Sequence, residues 1–232
     1  MTETPPRLRD AETFRRRMIE WYRENGDRGL PWRNTRDAWH ILTAALLLRK
    51  TTVKQVLEVY EEFIKRFPNP KELAAAHIDE VKSVIRPLGI EHIRADLLKK
   101  LAEELVEKFG GSVPCDEKAL KSLPGVGEYA ASEVLLIACN TPRPLLDRNM
   151  IRVLERVFGA KSKKKRPHTD RELWELARSI VPDDPELAKE FNFAVLDFAR
   201  KICTARAPKC GECPLANTCL HFHIHGKRGP AQ

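Results

Sequence analysis

The chain has 232 residues, 42% of them hydrophobic and 32% charged, with a formal net charge of +8. That length builds one large domain or two modest ones with real cores, and the charge favours an anionic partner, of which nucleic acid is the commonest. The longest uncharged apolar stretch, ILTAALLL at 41–48, is too short to span a bilayer, so no membrane partner is expected.

The amino terminus, MTETPPRLRDAETFRRR, has neither an apolar core nor a cleavage-site pattern, so a secretory signal is not expected and a cytoplasmic protein is. Residues 11–25 place Phe14, Met18 and Trp21 at helical spacing. AWHILTAALLLRK (38–50) is apolar nearly all round and reads as a buried central helix. An amphipathic helix over 53–67 is stopped by Pro68, and short helices follow at 70–76 and 79–86. A long amphipathic helix over 93–111 ends on glycine. A short helix near 116–121 leads into LPGVGEYA (123–130), and a helix runs from about 128 to 139. The run KSKKKRP (161–167) reads as a loop, either solvated or touching phosphate. Further helices are expected at 148–158, 169–180 and 186–201, then an irregular tail after Cys203 held by its cysteines. No strand pattern emerges, so the expected fold class is all-α.

In LPGVG, Pro124 ends the preceding helix, Gly125 permits a tight turn with positive φ, and Gly127 opens the next helix without a Cβ. A helix–hairpin–helix of this kind points unpartnered amides outward at a helix start, where a phosphate is favoured. An ordinary helix–helix turn uses the same residues. Eighteen residues after Tyr129, Asp147 opens PLLDRNMIRVLERVFG (144–159), either as a helix N-cap or as a catalytic carboxylate.

Four of six cysteines crowd into 203–219, which favours a metal or cluster over disulfides. Cys203, Cys210, Cys213 and Cys219 can wrap one centre, and spacing alone admits zinc tetrathiolate and [4Fe–4S], leaning to zinc because structural zinc is so common. Cys115 and Cys139 lie outside that motif and read as apolar fillers. The HFHIH segment (221–225) reads as a solvated tail.

The segment from LPGVG through LLDRNMIRVLERVFG resembles the helix–hairpin–helix and Gly/Pro-Asp loop of the endonuclease III superfamily of DNA glycosylases. LPWRNTRDAWHILTAALLLRKTTVKQV (30–56) is similar to its adenine and thymine-mismatch branches, and the likeness runs in order over most of 14–220. It implies two helical lobes: a six-helix lobe over 29–142, and a second built from 1–28 and 143–232 with the cluster loop at 203–219. The cysteine spacing matches the family's [4Fe–4S] loop and reverses the lean to zinc. Arg206 and Lys209 lie where the family presents cations to DNA phosphates.

The resemblance implies a monofunctional glycosylase of base excision repair, acting as a monomer on double-stranded DNA containing a mismatched or damaged base, in a prokaryotic, nucleoid-associated cytoplasm. Asp147 would stabilise the oxocarbenium-like sugar. Tyr129 stands where bifunctional relatives carry a nucleophilic lysine, so strand cleavage is not expected, and it would pack on the flipped base. Arg49 and Ile90 match positions inserted into the emptied stack, with Lys50 and His92 as neighbouring DNA contacts. Ala45 replaces a glutamate of the adenine branch, which disfavours adenine and leaves thymine or uracil opposite guanine in front. Hypoxanthine, a C5-modified pyrimidine or adenine is the alternative substrate, a non-catalytic DNA-binding protein the alternative class, and a lyase using Lys50 or Lys121 the alternative chemistry.

Overall fold

The computed structural model describes residues 11–225. The signal-free reading of the amino terminus lies, up to residue 10, outside the described residues. Among the described residues there are twelve α-helices and no strand, and no helix is long and apolar enough to cross a membrane. The chain divides into two compact units, 29–141 and a discontinuous one made of 1–28 and 142–232. Helix α1 (Ala11–Asn25) opens the discontinuous unit.

The 29–141 unit holds α2 (Ala38–Leu47), α3 (Val53–Arg66), α4 (Pro70–Ala75) and α5 (Ile78–Ile85). It continues with α6 (Glu91–Phe109), α7 (Glu117–Ser122) and α8 (Glu128–Ile137). That is seven helices, as the helical periodicity of this stretch predicts, where the resemblance implies a six-helix lobe. Helix α2 starts at Asp37, whose carboxylate caps the amides of Trp39 and His40, and it buries residues on every side, as its all-apolar sequence requires. Thr52 and Gln55 form a reciprocal capping box at the head of α3, and Gly110 ends α6 in the left-handed conformation with φ of 62°.

The sulfurs of Cys115 and Cys139 are bonded. This corrects their reading as fillers: one precedes α7 and the other follows α8, so folding the hairpin brings residues 24 apart in sequence into contact.

The discontinuous unit continues with α9 (Arg148–Phe158), α10 (Arg171–Ile180), α11 (Pro185–Lys201) and α12 (Leu220–His225). Helix α1 lies along α11, and Phe14 packs edge-on to Phe158 and Phe191, with centroids 5.2 and 5.7 Å apart. The segment after Cys203 is not wholly irregular. Residues 220–225 are helical, which corrects the expected tail, and the rings of His221 and His225 sit 4.5 Å apart one turn from each other.

Candidate active site

The hairpin joining α7 to α8 is built as its glycines require. Gly125 has φ of +75°, and a Cβ there would approach the Leu97 side chain to 2.8 Å. The positive φ strains any other residue, and its Cβ would also have to displace the Leu97 side chain. Val126 N donates to Leu123 O at 3.1 Å, closing the turn. Gly127 caps α8 in an extended conformation with no side-chain cap, and nothing lies within 4 Å of where its Cβ would stand. The first amides of α8 therefore lack a side-chain cap, with no Cβ at the approach to them, which is the arrangement an anion needs.

Beside this turn lies an open cavity of about 510 Å³, lined by Ala45, Arg49, Gly125, Val126, Gly127, Tyr129 and Ala130. Five residues singled out from the sequence meet here: Ala45, Arg49, Gly125, Gly127 and Tyr129. Arg49 Nη1 donates to Gly125 O at 3.2 Å, tying the end of α2 to the hairpin. Ala45 is buried, and the cavity walls carry one cation, one phenol and no carboxylate.

A smaller cavity of about 130 Å³ includes Arg49, Lys50, Ile90 and Ile93 in its lining. Lys50 (φ 57°) and Ile90 (φ 46°) both adopt the left-handed conformation. For β-branched Ile90 this costs on the order of 1–3 kcal/mol. Ile90 nevertheless stays 53% exposed, and Ile93 70%. An apolar side chain held in solvent on a strained backbone is suited to insertion between bases. His92 lines neither cavity, and its Nε2 sits 3.7 Å from Glu91 Oε1.

Sequence reasoning missed what supports this wall. Arg94 is buried, donating from Nη1 to Leu46 O and Leu47 O (3.1 and 3.4 Å) and from Nη2 to Arg49 O (3.2 Å). It adds donors to carbonyls at the end of α2, where Leu46 O also accepts from Arg49 N and Leu47 O from the Thr51 hydroxyl. Burial, then the nearby Arg49 charge, lowers its pKa. Its signal was present: Arg94 shares the helical face of Leu98, Leu101 and Leu105, where a cation needs a reason.

Asp147 is the N-cap of α9 and is also exposed in part. Its Oδ1 accepts from the amides of Asn149 and Met150, both at 2.8 Å, and Oδ2 accepts from Asn149 Nδ2 at 2.7 Å. Burial raises its pKa and outweighs these hydrogen bonds, which pull the other way. The loop before it is held by Asn192 of α11. That amide accepts from Leu145 N at 2.7 Å and donates to Arg143 O and Ala188 O at 2.9 and 2.7 Å. Asn192 is fully buried, and a lone amide inside FNFAVLDF was the available signal.

Cys203, Cys210, Cys213 and Cys219 are all free of disulfides and line one cavity, with Lys209 and His221 on its wall. Arg206 is exposed within the same loop. Arg156 clamps the loop's start, donating to Cys203 Sγ at 3.3 Å, Thr204 O at 2.7 Å and Ala205 O at 3.0 Å. Arg152 donates to Cys203 O at 2.9 Å and to Asn149 Oδ1 at 3.1 Å, so hydrogen bonds run from Asp147 to the cysteine loop. Burial pushes the Cys213 thiol up to about 12 and raises Cys219 as well. A cationic metal core reverses that preference by stabilising thiolate. Four free thiols lining one cavity, with an N–H donor to one of them, are the donor set an iron–sulfur centre uses.

Residues 43–179 match the family described as "HhH-GPD superfamily base excision DNA repair protein", and 203–219 match the "Iron-sulfur binding domain of endonuclease III". A thymine/uracil-DNA glycosylase of Pyrobaculum aerophilum is 67% identical, over 96% of this chain and 97% of that protein. A thymine-DNA glycosylase of Aeropyrum pernix is 63% identical over 91% and 95%. Among solved structures, a thermostable thymine-DNA glycosylase superposes with a TM-score of 0.87 at 31% identity, covering 93% of this chain and 98% of that one.

Proposed function

This chain belongs to the HhH-GPD superfamily of base excision DNA repair proteins, and on that premise we propose that it is a monofunctional DNA glycosylase removing thymine or uracil opposite guanine. The observation that carries the reading is the cavity wall, which presents Tyr129 and Ala45 but neither an amine nor a carboxylate.

A nucleotide turned out of the duplex needs a pocket with an aromatic or apolar face for the base. Tyr129 supplies that face. Ala45 offers no acid to protonate a purine, which favours a pyrimidine. Arg49 and Ile90 are the side chains for the emptied stack, with Lys50 and His92 as flanking contacts. The amides after Gly125 and Gly127 bind a backbone phosphate, as do Arg206 and Lys209.

Bond cleavage leaves positive charge on the sugar, and ionised Asp147 stabilises it. At about 4 Å and an effective dielectric of 20 this interaction is worth roughly 4 kcal/mol, or about a thousandfold in rate. The raised pKa also makes Asp147 a better acceptor for the proton of the attacking water. Water adds at C1′ and the base departs, leaving an intact abasic site. Lys121 is no substitute for the missing amine: its hydrogen bond to Glu128 at 2.6 Å and the further charge of Glu117 raise its pKa and keep it protonated. Cys203, Cys210, Cys213 and Cys219 hold the [4Fe–4S] cluster, which when bound supplies a structural clamp for the loop carrying Arg206 and Lys209. The same reading takes a single chain to act on a mismatched duplex in a nucleoid-associated cytoplasm.

The test is base release from labelled duplexes carrying thymine, uracil, hypoxanthine or C5-modified pyrimidine opposite guanine, and adenine opposite guanine or oxidised guanine. Breaks at T·G and U·G that need alkali support the proposal. Breaks without alkali refute the monofunctional assignment. Activity confined to another duplex refutes the substrate, and silence on all of them leaves a DNA-binding protein.

A further inference from the structure

Between α9 and α10 the sequence KSKKKR at 161–166 places five cations in six residues, and all five are exposed. The backbone that carries them is pinned. Lys161 N donates to Gly159 O at 2.9 Å, and Lys164 N to Ser162 Oγ at 3.0 Å. The Ser162 hydroxyl donates to Asp170, while the amide and hydroxyl of Thr169 donate to Arg166 O at 2.9 and 2.8 Å. Asp170, the nearest carboxylate in sequence, is buried and engaged by Ser162 and by the amide of Glu172, so it does not neutralise the lysines. Lys164 Nζ reaches Thr169 O at 3.1 Å. Among the described residues, Lys161, Lys163, Lys165 and Arg166 make no ion pair.

Like charges this close repel one another, and nothing in the loop offsets them. The hydrogen-bonded backbone separates this loop from an ordinary solvated charge run, because its ordering cost is met in the fold before any partner arrives. We propose that residues 161–166 form an auxiliary, sequence-independent binding site for the phosphate backbone of duplex DNA. None of the hairpin, cavity or cluster-loop residues contributes to it. The proposal rests on membership of a DNA-repair family and not on which base is removed.

The test uses the full chain with its cluster loaded and an undamaged duplex, with affinity followed by fluorescence anisotropy between about 50 and 200 mM KCl. The variant Lys161→Gln/Lys163→Gln/Lys165→Gln/Arg166→Gln removes the four unpaired charges and leaves Lys164 in place. Each lost phosphate contact makes the slope of log K against log salt shallower by about 0.9, so a change of about two to four is expected. A change of three narrows the affinity gap between the two proteins by about 60-fold across that salt range. Base release from a lesion duplex at saturating enzyme stays at the parental rate. The charge-preserving variant Lys161→Arg/Lys163→Arg/Lys165→Arg keeps the parental slope. An unchanged slope in the glutamine variant overturns the proposal, as does weakening that is equal at every salt concentration. So does loss of binding to polyglutamate with DNA binding intact, which would assign the loop to an acidic protein.

Discussion

Asp147→Asn separates the N-cap of α9 from the catalytic role proposed for this side chain. The amide keeps the cap, since asparagine is as good an N-cap as aspartate and its oxygen can still accept from the amides of Asn149 and Met150. The other side does not survive. Asp147 Oδ2 accepts from Asn149 Nδ2 at 2.7 Å, and an amide nitrogen there faces donor against donor. Asn149 is not free to flip, because its oxygen accepts from Arg152. That mismatch costs about 1–3 kcal/mol. Part of it is offset. Burial raises the Asp147 pKa, so the folded chain binds this proton more tightly than the unfolded chain, and ionisation at neutral pH costs stability that a neutral amide does not. The net change is about 2 kcal/mol or less, a Tm shift of roughly 4–8 °C for a chain this long. The chemical step loses the whole charge interaction, about a thousandfold. Single-turnover base release from a U·G duplex, with alkali and at saturating enzyme, measures that step, and anisotropy and a melting curve check binding and fold. A folded, DNA-binding variant within tenfold of the parental rate would refute the electrostatic role of Asp147.

Four further outcomes are expected. The parental excision rate falls on acidification, bending above the ordinary aspartate value of about 3.9, because the raised pKa protonates Asp147 earlier; a pH–rate profile flat to that value contradicts this. Reductant lowers Tm by about 7–14 °C, from roughly 3.5 kcal/mol of loop-closure stabilisation over 24 residues, and Cys115→Ser/Cys139→Ser removes the dependence. Asn192→Leu destabilises by about 3 kcal/mol through the unpaired groups of Leu145, Arg143 and Ala188, and slows base release more than it weakens DNA binding. Borohydride traps no covalent adduct between the parental protein and a lesion duplex, and an adduct at Lys50 or Lys121 would show an amine nucleophile.

Local chemistry carried most of the fold into the sequence. The Thr52–Gln55 box, Pro68 and Gly110 mark the ends of α3 and α6, and the periodicity between them needs no tertiary context. The cysteine loop is legible for the same reason, since its ligands lie within 17 residues of chain (203–219). Groups whose partners are far away in sequence stayed hidden. Arg94 reaches back 45 to 48 residues, Asn192 reaches 47 and 49, and Cys115 finds Cys139 only once the hairpin has closed. The left-handed backbones of Lys50 and Ile90 were equally hidden, because nothing in either side chain favours them.

Arg94 differs from most cations in that its acceptors are three backbone carbonyls. No carboxylate is involved, so potassium and chloride find nothing to compete for, and burial keeps both out of reach. The segment bearing Arg49 and Lys50 is thus fastened by a contact indifferent to ionic strength, whereas the DNA contacts proposed for those two side chains would be governed by it. On that proposal, salt strong enough to release one duplex would leave the support beneath Arg49 and Lys50 in place for the next.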